Sequence, residues 1–285
     1  MTPETSRAQS VDVGSRRWQP ETIAQEHAAA SGYLDNVAAT SFLRAIAART
    51  MDALALAPGE TVLEVGCGTG VFLPLLGHTV GPTGRVVGLD HAPTFVAEAR
   101  ARVAAQGLDG HVTVEEGDAY RLPFPDASFD AAHCERVLMH LADPTAALRE
   151  MRRVVRPGGR VVAVETDSGS LRTDHPDREA HDLLKARVLS RVRQPDMGLT
   201  LWRRFAEAGL TDREAVPIVG PITDVALVRQ IGVDLRSAAE ELVAAGQLGR
   251  ERADAALAYL DTASRDGEFF FYLALVLAFG RVPES

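Results

Sequence analysis

Five short runs rich in valine and leucine punctuate the middle of the chain, at residues 61–65, 85–90, 111–115, 129–134 and 160–165. Helical patterns separate most of them. Phe72, Leu75 and Leu76 follow the first run, with Pro74 early enough that its missing amide costs little. Phe95, Val96, Ala99 and Val103 follow the second, and Gly107 ends that helix. Before the fifth run, Asp143 supplies a capping side chain and Pro144 a proline at the first helical position. Leu148, Met151, Val154 and Val155 form the buried stripe of that helix. Strand–helix repetition of this kind dictates parallel strands, right-handed crossovers and helices on both faces. Two later runs, 214–219 and 269–280, predict a doubly wound, mostly parallel, seven-stranded α/β sheet. Such sheets bind ligands outside the carboxyl ends of their strands.

The flanks carry the rest of the organisation. Residues 1–20 have no apolar period and read as a mobile arm. Residues 28–56 read as helical, with Leu43, Ile46, Ala47, Thr50 and Leu54 on one face. The expected division is an N-terminal arm and helical cap over 1–50 and a main domain over 51–285. Within it, a helical lid insertion at 221–265 covers the carboxyl edge. Segment 166–193 reads as polar and irregular, then helical, and 201–210 as a short helix. In the insertion, Leu235, Ala239, Leu242 and Val243 share a face suited to a lid or to a homodimer contact. Trp202, Phe205 and the run from Phe269 to Tyr272 read as core, with alternate side chains on opposite faces.

The segment Glu64-Val65-Gly66-Cys67-Gly68-Thr69-Gly70 joins the first strand to its helix. Its third glycine falls one residue earlier than a dinucleotide G-x-G-x-x-G requires, and a P-loop's Gly-Lys-Ser/Thr is absent. The pattern is acid-x-G-x-G-x-G. It resembles the first motif of the class I S-adenosylmethionine-dependent methyltransferases. Further segments agree in order: Gly88-Leu89-Asp90, Glu116-Gly117-Asp118-Ala119, Leu122-Pro123-Phe124, Ser128-Phe129-Asp130, Arg136 to Leu141, Leu148-Arg149-Glu150, and Arg156 to Arg160. The resemblance covers roughly residues 54–165 and is nearest to the quinone, sterol and natural-product enzymes. It implies a Rossmann-like sheet and S-adenosylmethionine as cofactor, with S-adenosylhomocysteine as product. Ala92 departs from a common serine, and Phe95 from a common methionine.

The resemblance also implies roles. Gly66, Cys67, Gly68 and Gly70 would let the methionine part lie close to the backbone. Asp90, about 20 residues past the loop, would accept both ribose hydroxyls, with His91 beside it. Asp118 and the backbone of Ala119 would hold the adenine edge. Glu64 would orient either the loop or the methionine head, or brace a helix N-terminus. Cys134 and Glu135 would stand at the cofactor from the end of strand four; Cys134 also reads as a small buried residue there and not a nucleophile, and Glu135 and Arg136 either touch the methionine head or cap a helix. His140, on a helix after strand four, is the general-base candidate; the other reading is a histidine that packs against the cofactor. Tyr33 and His27 either fold over the site or occupy a surface turn and a solvated helix face. Asp167, Ser168, His175 and His181 lie on the expected substrate side as a polar loop.

A net charge of −9 opposes nucleic-acid binding. So does His133-Cys134-Glu135-Arg136, where base-amine methyltransferases carry an Asn/Asp-Pro-Pro-aromatic signature. Two cysteines exclude a disulfide scaffold. No H-E-x-x-H or cysteine pair marks a metal site. The longest apolar run, 269–279, is short of the roughly 20 residues a membrane span takes, and residues 1–26 carry no secretory pattern, so a cytoplasmic home is expected. The expected function is methyl transfer to an O, N or C nucleophile of a small apolar or aromatic molecule in secondary metabolism. The alternative is a non-methylating cyclisation or rearrangement on the same fold.

Overall fold

The fold comes from a computed structural model that describes residues 18–284. Strands β1 (Thr61–Val65), β2 (Arg85–Asp90), β3 (Val112–Glu116), β4 (Phe129–Glu135) and β5 (Val155–Thr173) run parallel. The last two, β6 (Thr211–Ile222) and β7 (Phe271–Arg281), pair antiparallel to each other, and β7 runs antiparallel to β5. The order across the seven-stranded sheet is β3-β2-β1-β4-β5-β7-β6. Strand order therefore reverses at β1 and β4, where a crevice opens between crossovers to opposite faces.

Alternation along β1 explains the two main cores. Leu63 and Val65 face one side, with Cys134, Met151 and Phe205. Helices α6 (Pro144–Val154) and α8 (Met197–Glu207) cover that side. Val62 faces the other, with Ile46, Leu54, Leu73, Val86 and Ala99. There lie α3 (Ser41–Leu54), α4 (Leu73–Val80) and α5 (Pro93–Ala105). A third core joins α7 (Arg178–Leu189) to α9 (Val225–Gln230), α10 (Leu235–Ala244) and α11 (Arg250–Asp266), which lie between β6 and β7. The short helices α1 (Pro20–Gln25) and α2 (His27–Ala38) complete the described chain.

Several expectations meet differences. The mobile-arm reading falls, through residue 17, outside the described residues; Trp18, at its end, packs its ring against Tyr33, Phe95 and His140. β5 does not stop at Glu165. It continues to Thr173, because β7 supplies partners for Thr166, Asp167, Arg172 and Thr173 across a register shift. The turn at 156–159 lies inside this long strand. The helix expected after strand four is one 3₁₀ turn, Leu138–His140. Arg136 sits in the left-handed region at φ 54°, so the chain cannot run straight from β4 into a helix. Tyr33 is not on a surface turn but buried within α2. Trp202 is 48% exposed under the Arg213 guanidinium, whereas Phe205 is core.

Candidate functional site

A cavity of about 820 Å³ opens at the carboxyl ends of the parallel strands. Its floor is the glycine loop. Gly66 has φ 70°, and a Cβ there would lie 2.4 Å from Val137 Cγ2, so only glycine fits between the loop and the chain leaving β4. Gly70 serves packing instead: its Cβ would lie 2.8 Å from Ala99 Cβ on α5. Gly66 and Gly68 line the cavity; Gly70 does not.

Asp90 ends β2 at the rim, 5% exposed. Its Oδ2 accepts the Gly68 N–H at 2.8 Å and its Oδ1 the Ala92 N–H at 2.9 Å. Each carboxylate oxygen has two lone pairs, so Oδ2 keeps one free for a ribose hydroxyl. The His91 ring lies between Asp90 Oδ1, 3.4 Å from Nδ1, and the Trp18 carbonyl, 2.8 Å from Nε2. The hydrogen bond with Asp90 raises its pKa above the usual imidazole range. Beyond β3, Glu116, Gly117, Asp118 and Ala119 continue the wall. Asp118 Oδ1 accepts the Tyr120 N–H at 2.9 Å, which turns the chain there.

Glu64 lies outside the cavity lining, buried within β1, and its Oε2 has no hydrogen-bond partner among the described residues. Burial, then the charges of Glu135 and Asp90, push its carboxyl well up. Glu135 does line the cavity. Burial pushes its carboxyl up too, against the neighbouring Arg136 guanidinium. Arg136 Nε donates to Glu135 Oε1 at 3.3 Å and Nη1 to the Tyr33 hydroxyl at 3.4 Å. Tyr33 in turn donates to the Ile231 carbonyl at 3.4 Å. His140 lines the same space and stacks near Trp18, with ring centroids 5.6 Å apart. Burial, then the nearby cationic groups led by Arg136, lower its pKa to about 3, so the ring is neutral.

The structure thus brings Tyr33, Gly66, Gly68, Asp90, His91, Asp118, Ala119, Glu135 and His140 to one cavity. Glu64, Cys67, Gly70 and Cys134 stay outside its lining. Cys67 packs beneath the loop toward Gly88, and Cys134 points into the core with Leu63 and Met151 because alternation on β4 turns it away. His27 also lies outside, 3.0 Å from Glu98. Ser168 reaches the cavity, whereas Asp167, His175 and His181 do not.

Sequence reasoning missed Trp18, which no motif marks, and the work of Glu165. Glu165 Oε1 accepts the N–H groups of Val137 and Leu138 at 2.9 and 2.6 Å, and Oε2 that of Met139 at 3.3 Å. It fixes the chain between Glu135 and His140. Its signal was a lone carboxylate ending an apolar strand.

Fold and cavity define a class. The glycine cradle leaves backbone room where side chains would clash, Asp90 offers acceptors at its rim, and three close carboxylates, Glu64, Asp90 and Glu135, suit a cationic ligand. These features fit S-adenosylmethionine, a sulfonium with a ribose diol. Residues 63–163 match the methyltransferase-domain family, and this part of the chain is a class I S-adenosylmethionine-dependent methyltransferase domain with that compound as its cofactor.

Particular relatives follow. The chain is 41% identical over 217 residues to an uncharacterized 37.1 kDa protein in transposon TN4556 of Streptomyces fradiae, covering 76% of this chain and 62% of that one. It is 38% identical over 122 residues to a demethylmenaquinone methyltransferase of Halalkalibacterium halodurans, covering 43% and 49%. The chain thus spans less than two thirds of the length of either. The crystal structure of the YcgJ protein from Bacillus subtilis shares the fold, with a TM-score of 0.60 at 20% identity over 84% of this chain and 98% of that one.

Proposed function

We propose that the protein transfers a methyl group from S-adenosylmethionine to an O, N or C nucleophile of a small organic molecule, apolar or aromatic, in secondary metabolism. The observation that carries this reading is the Gly68 N–H held on Asp90 at the mouth of a cavity whose far end is apolar. The cofactor supplies an electrophilic methyl group on a good leaving group. The protein's part is then to bind and align, which is worth effective molarities of about 10⁵ M or more.

In this proposal Asp90 accepts the ribose hydroxyls, Asp118 and the Ala119 backbone hold the adenine edge, and Gly66 and Gly68 give the methionine part its room. Glu64 and Glu135 stand beneath and beside it, buried carboxyls that a bound sulfonium would draw toward their ionised form. Of the cap expected over 1–50, the described residues 18–50 form a cap, and the helices within 221–265 a lid over a domain beginning at 51. Closing that lid would exclude water from the reacting centre. His140 packs and orients, since a ring with its pKa held at about 3 is a weak proton acceptor near neutral pH.

Calorimetric titration with S-adenosylhomocysteine tests the cofactor site. Micromolar binding is expected, and Asp90→Ala is expected to weaken it at least about tenfold, the scale of one lost charged hydrogen-bond partner. Unchanged affinity in the variant would overturn the role of Asp90. Acceptor screening by mass should then show a gain of one methylene. Conversion without a mass gain would replace methyl transfer with a rearrangement.

A further inference from the structure

The charges lining the cavity are segregated. Its four carboxylates, Asp90, Glu116, Asp118 and Glu135, all stand at or just beyond the ends of β2, β3 and β4. From there toward the helical insertion the charged lining side chains are Arg136 and Arg193. The far wall is apolar, formed by Val37, Phe42, Ile222, Ile231, Leu273 and Leu275. A cationic acceptor there would meet the Arg136 and Arg193 guanidinium groups, with the nearest carboxylate among the described lining residues, Glu135, already engaged by Arg136 Nε, in surroundings where an unpaired charge is costly. An anionic one would gain charge-assisted hydrogen bonds.

Arg136 is built for that contact. Its backbone is held at φ 54°, a conformation arginine rarely adopts, by the bond from its N–H to the Val164 carbonyl at 2.8 Å. Non-glycine residues so constrained cluster at functional sites. Its Nε faces Glu135 and its Nη1 faces Tyr33, which leaves Nη2 without a hydrogen bond among the described residues. Burial first, then the charges of Arg136, His91 and Arg193, keep His140 neutral beside it.

We propose that the acceptor is an apolar molecule bearing an acidic oxygen group, and that Arg136 receives this group at the middle of the cavity while the apolar part fills the end under the insertion. The proposal rests on the functional reading above for which part of the cavity belongs to the acceptor.

Three probes of one chain length separate the chemistry: dodecanoate, dodecan-1-ol and dodecylamine, each titrated calorimetrically below its micelle-forming concentration. Dodecanoate should bind most tightly, at least about tenfold tighter than the amine. Arg136→Asn removes the charge but keeps a residue that tolerates the left-handed backbone. It should erase the preference for dodecanoate over dodecan-1-ol, and Arg136→Lys should restore part of it. Thermal melts of both variants verify folding; Arg193→Gln, which lies off the strained backbone, gives a second reading of the same preference. Equal binding of amine and carboxylate, or a preference for dodecanoate that survives Arg136→Asn in a folded variant, overturns the proposal. A parallel titration with S-adenosylhomocysteine keeps the two ideas apart. Binding of that compound without acid selectivity sinks only this inference. Acid selectivity without it sinks only the methyl-transfer reading.

Discussion

Glu165 carries more structure than its position at a strand end announces. It holds three amides of the segment that bears Val137, Met139 and His140, so it sets the cavity wall without lining it. Glu165→Ala leaves those donors unsatisfied and should cost about 3 kcal/mol or more, whereas Glu165→Gln keeps an acceptor and should cost about 1 kcal/mol. Urea unfolding of the two variants checks this; equal losses would mean that volume, not hydrogen bonding, is what matters there. At this scale the sequence was readable wherever chemistry is local. Asp90 and Gly66 follow from a loop whose spacing leaves few other geometries. Cys134 is the small buried residue its strand end suggests, but the resemblance also set it at the cofactor, because a motif comparison does not see which face a strand end presents. Trp18 was invisible because its contacts, Tyr33, Phe95 and His140, come from three distant segments.

Elements were legible where a cap or a glycine ends them. Asp143 accepts the Ala146 N–H as its capping position requires, and α6 begins at Pro144. β5 was read short because residues 166–173 lose the apolar pattern. Only β7 beside them makes them strand, and pairing of that kind is a property of two segments. The seat of α5 against the glycine loop gives a prediction for this scale. Gly70 and Gly81 both have positive φ, at 74° and 67°. A Cβ at Gly81 meets open space, while at Gly70 it meets Ala99. Gly81→Ala should therefore cost about 1–3 kcal/mol, the backbone penalty alone, because its ψ of −177° places it in a region essentially reserved for glycine. Gly70→Ala should cost a further ~1–3 kcal/mol, because α5 must move off the loop. Equal destabilisation in urea would show that α5 yields freely.

For the whole molecule, buried titratable groups set the pH range of the fold. Burial lowers the pKa of His133 and His140 to about 3 and that of His181 to about 4. Unfolded histidine titrates near 6.5, so the stability these rings contribute as neutral groups is complete above that pH and is lost as pH falls toward 3. Burial raises Glu165 to about 8, and Glu64 and Glu135 also shift upward. The contribution of Glu165 is complete below the ordinary carboxylate value of 4.5 and is lost as pH rises toward 8, and those of Glu64 and Glu135 are likewise complete below 4.5 and fall as pH rises. The urea midpoint should peak between about pH 4.5 and 6.5 and decline on both sides; a midpoint still climbing from pH 6.5 to 8 would contradict this. The doubly wound sheet was readable from the strand–helix rhythm alone. The cavity's far wall was not, because it is assembled from residues before 45 and after 165 that only the folded sheet brings together. One contact across that wall bears on how such a protein can be re-engineered. Tyr33 reaches a main-chain oxygen at Ile231, so any residue at 231 keeps this tie. Side-chain substitutions at 231 therefore reshape the apolar wall while leaving Tyr33, and through it Arg136, fastened.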